Sequence, residues 1–210
     1  MSGPTLVIEL AEPLSPAALR EFRALMVGLS SHFAEKRSGF FDVNVPAERL
    51  GVEDRREADW RKPLPLPLLG NTIADEELTA LVGFNPQRED WRRPFLVYLM
   101  GPGVGDESTF EAEHADKPEV EAVLGFRPTH AVNVSACCNR EIDHVASALL
   151  TAAVMDVIGG VANVELLDEQ ASVVAGLPGV LGIASDDSTA LGSAEFLRAW
   201  VGHPAFRLVK

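Results

Sequence analysis

Cys137, Cys138 and His144 lie within eight positions of one another, and these residue types can hold zinc or form a thiolate–imidazole nucleophile. Zinc asks for four tetrahedral ligands, usually delivered by spaced Cys or His pairs, and no second cluster supplies the remainder. Successive residues of a strand face opposite sides, so only one of the two thiols could serve. Both cysteines are expected to be buried core residues, with no metal. Asp143-His144 offers an orienting carboxylate and a general base. Neighbours on a helix diverge by about 100°, however, so Asp143 is expected to complement a helix start while His144 joins a polar stripe. If the protein is an enzyme, His144 with Asp143 is the acid/base candidate. Gly101-Pro102-Gly103-Val104-Gly105 has the glycines of a phosphate loop but lacks the Lys-Ser/Thr, and Asp106 and Glu107 follow it at once. No GxSxG, HExxH or strand-borne GxGxxG is present. No cofactor is expected, and the balance leans away from catalysis.

Charge is the stronger signal. The formal net charge is −13, and no Lys or Arg occurs from Glu141 to Leu197. Asp106 to Glu121 carries seven acids against Lys117, while basic residues crowd 49–93. Such a field repels phosphate backbones and attracts cationic proteins. The expected partner is a basic protein, not nucleic acid. Candidate contact residues are Asp106, Glu107, Glu111, Glu113, Asp168, Glu169, Asp186 and Asp187. The plainer reading is that these acids keep the chain soluble. A homodimer paired along Val173–Ala184 as an edge strand is a further alternative.

The elements that must position these residues follow from periodicity. Thr5–Leu10 reads as a strand. Ser15 caps and Pro16 opens a helix whose apolar face, Leu19, Phe22, Leu25, Met26, Leu29 and Phe33, runs to about residue 32. Phe41, Val43 and Val45 alternate as a half-buried strand. Residues 46–72 read as an irregular connector, its Pro-Leu run at 63–68 stiff and extended, and 74–84 as a short helix. Pro94–Met100 is a central strand and 103–117 an exposed acidic loop, followed by a short helix at 118–124. Thr129–Cys137 is a strand, and Asn139 caps a long helix ended by Gly159-Gly160. Val161–Leu167 and Val173–Ala184 are strands, Ala194–Val201 is a helix, and 206–210 a last strand. The expected fold is one α+β domain over 1–210, a layered sandwich with a mixed sheet, helices mainly on one face and two strand–helix–strand units.

Adjacent cysteines cannot easily bridge each other, and the N-terminus lacks a basic, apolar export signal. No apolar run approaches the roughly 20 residues that span a bilayer. A cytoplasmic protein with no membrane partner is expected.

Residues 194–210, together with Asp143-His144 and Val157-Ile158-Gly159-Gly160, resemble an uncharacterised bacterial family common in actinobacteria. That family is similar to the immunity-type proteins encoded beside polymorphic toxins. Its members often carry an Asp-Phe-Gly-Gly-like stretch after the double glycine, where this chain has Ala162-Asn163-Val164. The resemblance covers about the last 80 residues and implies an antitoxin-like inhibitor, whose partner would be a toxin domain.

Overall fold

The computed structural model describes residues 3–52, 92–167, 169–185 and 188–209. The expected helix at 74–84, the Pro-Leu run and most of the connector lie outside the described residues. Within them the fold is α+β.

Alternation in β1 (Thr5–Leu10) sends Leu6, Ile8 and Leu10 to one face, where they are buried, and Thr5, Val7 and Glu9 to the other. β1 lies in the middle of an eight-stranded sheet of order β2-β3-β4-β5-β1-β6-β8-β7. The others are β2 (His32–Arg37), β3 (Phe40–Pro46), β4 (Arg92–Met100), β5 (His130–Ala136), β6 (Val161–Glu165), β7 (Val180–Ile183) and β8 (Thr189–Gly192). Every pairing is antiparallel, so the sheet is not mixed as expected. Both strand–helix–strand units are present. β5 and β6 run parallel to each other, but β1 is inserted between them, and this removes any parallel ladder.

The first face is covered by α1 (Pro16–Leu29), α4 (Glu141–Ile158) and α6 (Ala194–Val201). Phe22 and Met26 of α1, Leu150 and Val154 of α4, and Phe196 and Trp200 of α6 are fully buried against Ile8, Phe41, Phe95 and Val132. Ser15 caps α1 through the Ala18 N–H, at 3.1 Å. The helix stops at Leu29 because Ser30 turns extended, and Arg49 donates to the carbonyls of Gly28 in its last turn and of Ser30 just beyond it. Phe33 therefore belongs to β2 and not to the helix.

The second face carries shorter helices, α2 (Glu107–Glu113) and α3 (Pro118–Leu124). The first corrects the expected acidic loop: Asp106 caps it and Phe110 anchors it on Val7, Met100 and Ala131. Residues 173–184 are likewise not one strand. Helix α5 (Gln170–Val174) and a turn precede β7. Residues 202–209 form a turn and an extended tail without strand pairing. The edge strands β2 and β7 each carry a register shift, at Lys36 and Leu181, a feature that blunts edge-to-edge pairing.

Candidate functional site

The acids divide once folded. Hydrogen bonds from Thr109, Ser108 and Arg37 hold the Asp106 carboxyl below the usual carboxylate range. Asp116 and Glu121 both contact Arg127. Those three are therefore interleaved with arginines rather than free. Glu107 and Glu111 are exposed on α2 with no ion pair among the described residues, and exposed Glu113 lies 3.9 Å from His114. The structure thus brings together Asp106, Glu107, Glu111 and Glu113 on one short helix. Glu169 sits elsewhere, in a left-handed conformation (φ 70°) before α5. Asp168, Asp186 and Asp187 lie outside the described residues.

Beneath α2 is a contact the sequence did not announce. Glu9 of β1 is 1% exposed, and its Oε1 accepts from Asn163 Nδ2 at 2.9 Å and stands 3.4 Å from His114 Nδ1. His114 is the C-cap of α2, stacked on Phe110 with ring centroids 6.1 Å apart. A carboxylate and an imidazole in this relation could form an acid/base dyad. Both ring nitrogens are nevertheless shut inside the fold, and His114 lines neither cleft described below. The pair acts as a tether: Phe110 and His114 fix α2 to the sheet. Replacing His114 by Ala removes the stacked ring and leaves Glu9 with one fewer neighbour. We expect a loss of about 1–3 kcal/mol and faster amide exchange in α2 while α4 stays protected. Unchanged exchange in α2 would dismiss the tether.

Next to this pair the sheet face is polar. Thr5 Oγ1 meets Ser135 Oγ at 3.0 Å, and Ser135 donates to Asn133 Oδ1 at 2.6 Å. Tyr98, paired in register with Asn133, is pushed above its ordinary value chiefly by burial, against a hydrogen bond with Ser135.

The sequence-predicted pair Asp143 and His144 sits on the opposite face, in the first turns of α4. Asp143 is fully buried; it accepts the Arg140 N–H at 2.7 Å and Arg93 Nη1 at 3.2 Å. It completes the helix start as expected, although the cap is Arg140 and not Asn139. His144 Nδ1 accepts the Leu208 N–H at 3.2 Å, clamping the C-terminal tail to α4. The side chains diverge, and His144 lines neither cleft described below. Burial, with help from Arg207, lowers the His144 pKa from its ordinary 6.5. The unfolded chain therefore binds a proton that the folded chain rejects. Stability is complete above about pH 6.5 and falls as pH drops below it, levelling off beneath the folded value. Urea midpoints at about pH 7.5 and about pH 5.5 should separate in the wild type and converge in His144→Gln, which keeps an acceptor for Leu208. Equal separation in both proteins would assign the dependence to other groups.

Neither cysteine is the core residue expected, since Cys137 is exposed and Cys138 half-buried beyond the end of β5. The Cys137 thiol is pushed up by partial desolvation and by Cys138, Asp42 and Asp143, the opposite of an activated thiolate. Among the described residues, no group of three or more His, Cys, Asp or Glu is placed to hold a metal ion. No helix among them is long and apolar enough to cross a membrane.

Two clefts flank the end of β1. One, of about 160 Å³, lies between α1, the 101–104 turn and His130. The other, of about 560 Å³, is lined by Glu9, Glu12, Leu14, Phe126, Ile158 and Val161 among others.

Comparison with known sequences gives one match. The family described as Family of unknown function (DUF6368) matches residues 2–89 and 82–210. No curated protein and no solved structure is found to match the chain.

Proposed function

The chain belongs to the family of unknown function DUF6368, and on that premise we propose that it is a non-enzymatic binding protein that engages a basic partner through the acidic surface of α2. The observation that carries this reading is the set of exposed carboxylates at Glu107, Glu111 and Glu113, presented by a helix fixed to the sheet by Phe110 and His114. Exposed surface charge of one sign speeds encounter with an oppositely charged partner and makes it salt-sensitive. An inhibitor of antitoxin type, acting in the cytoplasm by covering a basic toxin domain, is the specific form of this proposal.

Co-purification with the products of adjacent genes, at low and high salt, tests it. Glu111→Lys/Glu113→Lys is the informative variant. Both positions are exposed, and cations near a helix C-terminus favour the helix, so lost binding would not reflect lost folding. The expected result is retention of a basic partner at low salt and an association rate at least about tenfold slower for the variant. Retention that the substitutions leave unchanged would defeat the proposal.

A further inference from the structure

Residues 202–209 carry no strand pairing, and two buried side chains fasten them to the body of the fold. Gln170 donates from Nε2 to the carbonyls of Ala205 and Arg207, both at 3.1 Å, while its Oε1 accepts the Leu167 N–H at 2.8 Å. One residue further on, His144 Nδ1 accepts the Leu208 N–H at 3.2 Å. The two fastenings differ in kind. A carboxamide keeps its donors and its acceptor at any ordinary pH, whereas an imidazolium has two donors and no acceptor. A protonated His144 would turn an N–H toward the Leu208 N–H, at a place where the ring is 5% exposed and Leu208 only 2%. The charged groups facing the ring are Arg207 from the tail and Asp143 and Glu141 from α4. Arg207 opposes a second positive charge, and Asp143 is already paired with Arg93 of β4.

We infer that His144 and Leu208 form a pH-sensitive latch, in which a proton taken up by His144 unseats Leu208 and Val209 while Gln170 retains the tail at 205–207. With the latch shut, burial and Arg207 hold the ring below its ordinary 6.5, so the open form takes the proton more readily. The shut form is fully favoured above about pH 6.5. Each unit below that favours the open form by up to about tenfold, until the ring is protonated in place. Leu208 belongs to the main core, so the open latch uncovers an apolar socket that neutral pH keeps filled. The device is independent of the acidic-surface reading, since α2 lies on the other face of the sheet.

Global unfolding also frees His144, and amide hydrogen exchange of the full chain at pH 7.5 and 5.5 separates the two events. Rates are expressed as protection factors, which removes the intrinsic pH dependence of exchange. At pH 7.5 Leu208 should exchange at least about tenfold faster than Val132 in the middle of the sheet and ignore sub-denaturing urea, the mark of a local opening. At pH 5.5 its protection should fall by a further factor of about ten. Phe206 donates to His203 O at 3.0 Å, within the part of the tail that Gln170 holds, and should keep its protection. In His144→Gln an amide oxygen takes over as acceptor, and Leu208 should be equally protected at both pH values. Should that variant fail to fold, the wild-type pattern still decides. Leu208 protection that is the same at both pH values, that equals Val132's throughout, that falls together with Phe206's, or that falls equally in His144→Gln would each overturn the latch.

Discussion

Asp143→Ala should unfold the chain in markedly less denaturant, at a cost of about 3–5 kcal/mol, the range for stripping one partner from a buried ion pair. The pair is Arg93 on β4 and Asp143 at the start of α4, with side chains 7% and 1% exposed. Two charges held out of water are tolerable together, and removing the carboxylate takes from Arg93 the partner it has at the start of α4. The carboxylate also accepts the Arg140 N–H, so its loss opens the helix start as well. Arg93→Met should be costly for the same electrostatic reason. The two changes combined should cost less than the sum of the single ones, because each single change already removes the contact between the two groups. Chemical denaturation of the three proteins decides the matter. Strict additivity would mean that the two groups do not depend on each other.

The second large effect belongs to Trp200. Its indole is completely buried between α4 and α6, with Phe206 edge-on at 5.8 Å and His203 stacked at 5.6 Å. Trp200→Ala should cost about 3–5 kcal/mol through lost contact and a residual cavity. Trp200→Phe should be much milder, below about 2 kcal/mol. The reason is that Nε1 has no hydrogen-bond partner among the described residues, so the phenyl ring discards a buried donor along with its volume. Thermal or urea unfolding of both variants measures the gap. A Phe variant as damaged as the Ala variant would show that the indole N–H is in fact engaged.

Elements with a single dominant period were legible before any coordinates. β1, β3, β4, β5, α4 and α6 lie within a few residues of their expected bounds, since their apolar positions recur at the spacing of one buried face. Misreadings arose where two signals overlapped. Phe33 continues the apolar spacing of α1 by accident, but an extended Ser30 breaks the helix and Phe33 stacks on Phe41 from β2 instead. Helix α2 has one buried residue, Phe110, too few for a periodic face, and its neighbours read as loop. β8 is four residues long, too short to show a period, and no strand is expected there from the sequence. The acidic stretch at 106–121 was visible, but its division into paired and unpaired carboxylates depends on Arg37 and Arg127 arriving from elsewhere. Glu9 and His114 stand 105 positions apart, and only the placement of α2 over β1 joins them. A lone acid in an alternating strand gives no sign that its outward face will be covered.

The insertion of β1 between β5 and β6 has a temporal consequence. Residues 5–10 leave the ribosome before every other strand of the sheet, yet their pairing partners are residues 130–135 and 161–163. Until residue 135 has been made the β1 segment has no ladder partner, and until residue 163 the middle of the sheet cannot close. Folding must await the late strands, and loop-closure entropy over such spans makes the search slow. Nascent chains stalled short of β6 should stay protease-sensitive throughout, then become resistant almost at once when β6 emerges.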